Sequence, residues 1–207
     1  MITDHDRSGW FGASDTAMIM GNWNTKTFQK WWLQKLGINQ SHFTNTAMNA
    51  GTYYEHKILN FLNIPRKDHQ IIVPEYRLRI NLDGDVPAIT VTHYYETLQC
   101  VKWKKRGEVH EVKTHKAGKP FKVSKAYWQQ VQVQGYGKLR EEGVVPAMKI
   151  HAYALTDAEY RNFFLDIDPD RLTEHPIEYD SDFIQLYLER LKILVDALDR
   201  GAMPQLM

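Results

Sequence analysis

The chain has 207 residues, of which 43% are hydrophobic and 25% are charged, close to ordinary globular usage. This composition excludes disordered and fibrous proteins, and no apolar run approaches the roughly 18 residues that span a bilayer. The first residues lack the apolar core of a signal peptide. The single cysteine, Cys100, excludes an internal disulfide framework and a multi-cysteine metal site. We therefore expect a single domain over 1–207, in a reducing cytoplasm.

The net charge of +1 hides an asymmetry along the chain. Residues 101–125 contain nine basic and two acidic side chains, whereas residues 156–200 contain five basic and twelve acidic ones. A basic middle and an acidic tail predict a localised anion-binding face, with nucleic acid as one candidate partner. The alternative is a lysine-rich, solvated hairpin.

The chain begins with three predicted helices. The first covers 12–21, with Ser14 as its expected N-cap and Gly21 as its expected terminal glycine. Residues 27–36 and 46–62 place apolar and aromatic side chains near helical spacing. Strand patterns follow at 70–73, 76–81, 88–92, 98–103 and 108–114.

The rest of the chain alternates between the two kinds of element. A long helix is predicted over 124–142, strands over 148–155 and 163–167, and a C-terminal helix over 181–200. The predicted order is three helices, a run of strands, a helix, two strands and a final helix. This order indicates an α/β (α+β mixed) domain. Its central mixed sheet is expected to be flanked by helices.

The most informative segment runs from Gly107 to His115. Because successive side chains of a strand point to opposite faces, Glu111 and Lys113 share one face. A carboxylate can hold a divalent ion, and a neighbouring lysine can orient a water and offset phosphate charge, as metal-assisted phosphodiester hydrolysis requires. The alternative for such a pair is a salt bridge on an exposed strand.

A second carboxylate is expected beside Glu111. Asp83 ends the strand at 76–81 and is followed by a glycine turn, so the strand order would bring it next to Glu111. Asp85 competes for this role, and the alternative for Asp83 is an ordinary turn aspartate before a glycine. Two carboxylates suit Mg²⁺ or Mn²⁺. Glu55, on the third helix, could reach the same site, or it could face solvent.

Other polar residues support or weaken this interpretation. Gln130 and Gln134 lie four residues apart on one helix face, where a neutral amide can bridge a water, the lysine or a phosphate. His110 and His115 lie five residues apart in a strand, so they cannot share a zinc site on one face. The aspartates near 166–170 lack the glycine and glutamate of a calcium loop, and we interpret them as an acidic turn.

These motifs, in this order, resemble the YqaJ-type viral recombinase family, which comprises phage exonucleases related to lambda exonuclease within the PD-(D/E)XK nuclease superfamily. The resemblance extends from about Arg7 to about Ala154. Two features depart from it: Leu82 stands where the superfamily has proline, and a longer gap before Glu111 implies an inserted hairpin within 94–106. The motifs are Gly12-Ala-Ser-Asp15, Thr25-Lys-Thr27, Trp31-Trp32-Leu33, the Gly51–Glu55 pair, Asp83-Gly84, the Glu111–Lys113 pair and Tyr127-x-x-Gln130-Val-Gln132.

The resemblance implies a PD-(D/E)XK restriction-endonuclease-like core and a role for each matching residue. Asp83, Glu111 and the Val112 carbonyl would bind metal, and Glu55 would hold a second ion. Lys113 would position the attacking water, and Gln130 would orient Lys113 or contact the terminal phosphate. Ser14 and Arg7 would bind a terminal 5′-phosphate, although Ser14 could simply cap its helix. Lys116 and Lys119 would contact DNA.

The function implied is a Mg²⁺-dependent exodeoxyribonuclease that digests linear double-stranded DNA from its ends, 5′ to 3′, in phage-type recombination. Mn²⁺ could replace Mg²⁺ in the two-metal site. The resemblance also implies a homo-oligomeric ring, often a trimer, and a single-strand annealing protein as partner, without any membrane association. Two alternatives stay open: an endonuclease of restriction or structure-specific type, and a DNA-binding module without activity.

Overall fold

The computed structural model describes residues 8–38, 46–94 and 100–205. Five strands form the central sheet in the order β1-β2-β5-β6-β7, and two more, β3 and β4, form a separate hairpin. β5 and β6 pair in parallel, whereas every other neighbouring pair is antiparallel. The sheet is therefore mixed, as expected. The strands are β1 (Arg66–Val73), β2 (Leu78–Val86), β3 (Ile89–Tyr94), β4 (Cys100–Lys105), β5 (Glu108–Lys116), β6 (Ala147–Leu155) and β7 (Leu172–Ile177).

Five α-helices surround the sheet, and side-chain hydroxyls or carboxylates begin three of them. Thr25, Ser124 and Asp180 accept hydrogen bonds from the backbone N–H three residues on, which satisfies a donor that has no partner within the helix. The helices are α1 (Thr16–Ile19), α2 (Lys26–Lys35), α3 (Thr46–Phe61), α4 (Lys125–Glu142) and α5 (Ser181–Asp199).

The helices cover the two faces of the sheet with separate apolar cores. On one face, α4 and α5 pack with α1 and α2 over β2 and β6. On the other, α3 packs its buried Tyr54, Ile58 and Leu59 against β5 and β6. α4 lies close to the sheet, and two glycines without side chains allow this approach. A Cβ atom added at Gly135 would lie 2.2 Å from the Met148 side chain, and one added at Gly137 would lie 2.8 Å from the Ile80 side chain.

Several sequence predictions need correction. The strand predicted over 163–167 is wrong: those residues form turns, and the strand that pairs with β6 is Leu172–Ile177. Asp83 and Gly84 lie inside β2 rather than in a turn after it, because β1 pairs with β2 as far as Asp85. The hairpin predicted within 94–106 comprises β3 and β4 and so begins at Ile89.

The first predicted helix is also shorter than expected. A 3₁₀ turn, Ala13–Asp15, leads into the four-residue α1. Ser14 lies within this turn and is not the N-cap, a position that Gly12 takes for the turn and Asp15 for α1. A helix this short adds little macrodipole, so the helix N-terminus gives no argument for an anion site at Ser14. In the described part of the chain, no helix is long and apolar enough to cross a bilayer.

Candidate active site

The site forms where β2 and β5 separate. Their last paired residues are Gly84 and His110, and beyond this point the Asp83 side chain bridges the two strands. Its Oδ2 accepts a hydrogen bond from the backbone N–H of Val112 at 2.8 Å. This contact fixes the Asp83 carboxylate beside the strand that carries Glu111 and Lys113.

Glu111 is almost fully buried, with 1% of its surface exposed, and α4 holds both of its carboxylate oxygens. Gln130 donates to Oε1 at 2.5 Å and Gln134 donates to Oε2 at 2.5 Å. Gln134 also donates to the Asn81 carbonyl at 3.1 Å. The two glutamines, one helical turn apart, thus satisfy the buried carboxylate without adding charge.

Lys113 contacts the same carboxylate, because its Nζ donates to Glu111 Oε1. It also lies 3.5 Å from Gln130 Oε1 and 5.0 Å from the centre of the Tyr127 ring. Burial would lower the pKa of the Lys113 ammonium, but the carboxylates of Glu111 and Asp83 outweigh it and hold that pKa above its usual value. Lys113 is therefore a cation and a hydrogen-bond donor at neutral pH.

Glu55 approaches from α3. Burial raises its pKa to about 7, and the negative charge of Glu111 adds to the effect. Burial also raises the pKa of Asp83 well above its usual value, with further contributions from Glu111 and Glu55. In addition, ligand atoms of Glu55, His56 and Asp68 all lie within 4.8 Å of one another.

These carboxylates fit a divalent cation. Glu55, Asp83 and Glu111 converge, and the charge of Glu111 helps to raise the pKa values of the other two carboxyls. Bound positive charge would relieve this repulsion. The donors are carboxylate and carbonyl oxygens, which Mg²⁺ and Mn²⁺ prefer. Asp83, Glu111 and the Val112 carbonyl would hold one ion, and Glu55 would contribute to a second.

Most of the predicted site residues line one cavity of about 450 Å³. The structure thus brings together residues from five separate parts of the chain. The predicted members are Ser14, Glu55, Asp83, Glu111, Val112, Lys113 and Gln130.

Part of the cavity wall is formed by the segment that contains Ser14, which is exposed. Below it, Lys35 donates to Asp15 at 2.6 Å and to the Trp10 carbonyl at 2.8 Å. Asp15 in turn accepts from the Gly12 N–H at 2.8 Å. This buried ion pair holds the turn in place. Arg7, the other predicted phosphate ligand, lies outside the described residues.

Asp85, the rival of Asp83, is fully buried and does not line the cavity. It is held in ion pairs by Arg66 and by Lys138, whose Nζ lies 2.7 Å away. Burial would raise the pKa of Asp85, but hydrogen bonds from Arg66 and Lys138 outweigh it and hold the pKa below its usual value. With both cations already in place, Asp85 has no need of a metal ion.

Lys116 and Lys119 do not line the cavity. Lys116, at the end of β5, makes an exposed ion pair with Asp157 at 3.1 Å, and Lys119 is exposed in the following loop. The basic residues of 101–125 therefore form two groups. One group lies in the hairpin before β5, and the other lies at the end of β5 and in the loop that follows it.

Sequence reasoning missed several residues of the site. Gln134 was noted only for its spacing with Gln130, and nothing in the local pattern separates it from a surface glutamine. Arg79 and Asn81 line the cavity from β2, and alternation along that strand with Asp83 could have identified them. The Arg79 guanidinium lies 4.8 Å from the Trp10 ring centre.

The two histidines near Glu111 lie apart, as their spacing predicts. His110 is buried and its Nδ1 lies 2.8 Å from Nε2 of His151 on β6. His115 instead lies beside Phe121, with ring centres 5.5 Å apart.

Comparison with solved structures identifies the fold. The alkaline exonuclease LHK-Exo of Laribacter hongkongensis, also determined in complex with dAMP, matches with a TM-score of 0.60 at 18% identity. The match covers 94% of this chain and 90% of that one. A phage-related exonuclease from Haemophilus somnus 129PT matches with a TM-score of 0.58 at 14% identity, over 93% and 94% of the two chains. No family model and no curated protein matches the sequence. The chain thus has the PD-(D/E)XK-like fold predicted from its motifs.

Proposed function

We propose that this chain is a metal-dependent deoxyribonuclease that digests linear double-stranded DNA from its ends, in the 5′ to 3′ direction, in phage-type recombination. The observation that carries the proposal is the convergence of Asp83, Glu111, Lys113 and Gln130 on one cavity. The exonucleases that share the fold, one of them determined with dAMP, support the same reaction class.

The arrangement is suited to hydrolysis of a phosphodiester. Lys113 is the cation of the set, so it would orient the attacking water and offset phosphate charge rather than remove a proton. Gln130 holds Glu111 and lies near Lys113, which keeps both groups in position as the substrate enters. When bound, Mg²⁺ or Mn²⁺ would supply positive charge that polarises the phosphate and lowers the pKa of water.

The bond that breaks follows from the proposed direction. The water oxygen bonds to phosphorus and the P–O3′ bond breaks, so a 5′-mononucleotide leaves with a 3′-hydroxyl. The shortened strand then carries a new 5′-phosphate. Ser14 lines the same cavity, and it would contact the terminal 5′-phosphate of the departing nucleotide. Lys116 and Lys119, beyond β5, would contact the DNA backbone.

Digestion of end-labelled linear and covalently closed circular duplex DNA tests the proposal, with Mg²⁺ and with EDTA. We expect degradation of linear DNA only, dependent on metal, with mononucleotides released from the 5′ end. A Lys113→Ala protein purified in parallel controls for contaminating nucleases. Cutting of the circular DNA would assign the site to an endonuclease, and DNA binding without hydrolysis would make the chain a binding module.

A further inference from the structure

Gln134 is a buried side chain of α4 whose amide contacts both strands of the site. None of its surface is exposed. Its Nε2 donates to Glu111 Oε2 on β5 at 2.5 Å and to the Asn81 carbonyl on β2 at 3.1 Å. The amide thus uses its two N–H groups on two different strands. One side chain therefore joins the strands that carry the metal-binding carboxylates.

This bridge lies beyond Gly84, where the backbone pairing of β2 with β5 ends. Backbone hydrogen bonds between the two strands no longer set the separation of Asp83 from Glu111 there, and side-chain contacts take over. Gln134 supplies one such contact, because Asn81 lies two residues before Asp83 on the same strand. The positions of the two carboxylates are therefore linked through α4.

The residue after Gln134 allows α4 to come this close. A Cβ atom at Gly135 would clash with the Met148 side chain of β6, so a larger residue would push the helix away from the sheet. A helix packed this closely lets the glutamine amide reach both strands. Gly135 therefore supports the contacts of its neighbour.

The two oxygens of Glu111 differ in what they accept. Oε1 accepts from Lys113 Nζ and from Gln130 Nε2, which uses both of its lone pairs. Among the described residues, Oε2 accepts from Gln134 alone and keeps one lone pair. A carboxylate binds Mg²⁺ through its oxygen atoms, so Oε2 is the atom that the ion would take. Gln134 therefore contacts the ligand atom itself.

The carbonyl end of the same amide has no partner. Gln134 Oε1 is buried and accepts no hydrogen bond within the part of the chain that the structure describes, which is unfavourable for a buried oxygen. Turning the amide over would bring this oxygen against the Glu111 carboxylate, and the two would repel. The two acceptors, Glu111 and Asn81, therefore fix the orientation of the amide.

We propose that Gln134 is a positioning residue for the metal site. It holds the Glu111 oxygen that takes the ion and keeps it at a set distance from Asp83, so that the two carboxylates match the near-ideal geometry that Mg²⁺ demands. Gln134 itself does not line the cavity. This inference rests on the metal-dependent activity proposed above and names a residue on which that activity depends.

The alternative is a structural role, in which the amide only satisfies a buried carboxylate. The two roles differ in their effect on the choice of metal. Ca²⁺ tolerates varied numbers and distances of oxygen ligands, whereas Mg²⁺ requires near-octahedral geometry. A misplaced Glu111 should therefore weaken the binding of Mg²⁺ more than that of Ca²⁺, whereas a loss of folded protein would weaken both alike.

Isothermal titration calorimetry of the DNA-free protein with Mg²⁺ alone and with Ca²⁺ alone tests the proposal. Gln134→Met keeps an unbranched side chain but loses both donors. It should weaken Mg²⁺ binding about 10–100-fold, as loss of a partner that orients a metal ligand does, and Ca²⁺ binding by a smaller factor. Gln134→Asn is a second variant that keeps an amide but is one methylene shorter, and it should show the same selective loss.

Gln132 provides a matched control on the same helix. It is also fully buried, and its amide donates to the Glu178 carbonyl at 2.7 Å and accepts from the Asp180 N–H at 2.8 Å. Neither partner lines the cavity. Gln132→Met should therefore lower the free energy of unfolding and leave both metal affinities unchanged. Denaturant unfolding would establish that each variant is folded under the conditions of the titration.

The possible results separate this inference from the proposed function. Equal Mg²⁺ affinity in the parent and in a folded Gln134 variant would overturn the inference and leave the proposed function intact. Equal losses of Mg²⁺ and Ca²⁺ binding would also overturn it, because the amide would then not act on the geometry of the site. A parent protein that binds no Mg²⁺ would overturn the proposed metal dependence, and the inference with it.

Discussion

Asp83 reaches across from β2 to accept a hydrogen bond from the backbone N–H of Val112 on β5, at 2.8 Å. The contact lies just beyond Gly84 and His110, the last residues at which the backbones of β2 and β5 pair. The Asp83 side chain therefore connects the two strands where their backbones no longer form hydrogen bonds with each other. It thereby places one carboxylate beside Glu111, which is fixed from the other side by Gln130 and Gln134.

Replacing Lys113 with alanine should lower the rate of DNA hydrolysis at least about 100-fold, because the cation that orients water and offsets phosphate charge is lost. Binding of duplex DNA should change far less. Lys192→Ala, at an exposed position of α5, provides a matched loss of one lysine and should keep full activity. Single-turnover rates on labelled linear DNA measure the effect, and near-normal turnover by Lys113→Ala would show that the lysine has no part in the reaction.

The two aspartates of β2 should respond differently to the same substitution. Asp83→Asn should abolish metal-dependent hydrolysis while the protein stays folded. Asp85→Asn should instead lower the free energy of unfolding by about 3 kcal/mol, because it removes a buried carboxylate that pairs with both Arg66 and the fully buried Lys138 and leaves the Lys138 charge to Glu141 and Glu142. The folded fraction should still cut DNA. Denaturant unfolding and activity measured on both variants decide between the residues. Loss of activity in a stable Asp85→Asn protein would move the metal ligand to that position.

A 5′-phosphorylated end should be digested faster than a 5′-hydroxyl end, and Ser14→Ala should remove this difference. The reason is that the exposed Ser14 lines the cavity, where its hydroxyl would bind a terminal phosphate. Thr25→Ala is the control: it removes a hydroxyl that caps α2, so it should cost about 0.5–2 kcal/mol of stability and keep the end preference. Equal rates on both ends in the parent would rule out the phosphate site and weaken the proposed direction.

Stability should fall on acidification because of His151. Burial, followed by the charges of His110 and Lys149, lowers the pKa of His151 to about 4, whereas the unfolded chain has a pKa of about 6.5. The unfolded state therefore binds more protons as the pH falls from about 6.5 to about 4, and the folded state loses up to about 3 kcal/mol over that range. Above pH 7 the effect is absent.

His151→Gln tests this prediction because glutamine cannot take up the proton. Urea unfolding at a series of pH values should show a shallower loss of stability in the variant than in the parent between pH 6.5 and 4. His175→Gln, on the partly exposed neighbouring strand β7, serves as the histidine control. Parallel curves for parent and His151→Gln would show that His151 titrates normally.

The sequence by itself determined the elements whose signals are local. The helices predicted over 27–36 and 124–142 form as α2 and α4, because their apolar spacing and their caps, the hydroxyls of Thr25 and Ser124, act within a few turns of the same chain. Glu111 and Lys113 share a strand face because alternation depends only on neighbouring residues. The order of motifs likewise predicted a PD-(D/E)XK-like fold, which the structure and its relatives confirm.

Only the tertiary structure decided which polar residues face the cavity. Asp83 and Asp85 have equivalent sequence signals, but Asp85 finds Arg66 and Lys138, 19 and 53 residues away in the chain. Likewise, the strand beside β6 is Leu172–Ile177 rather than 163–167, because pairing with a distant strand, and not local hydrophobicity, decides which segment becomes extended. Long-range contacts of this kind depend on how the whole chain packs, and the local pattern around a residue carries no information about its distant partners.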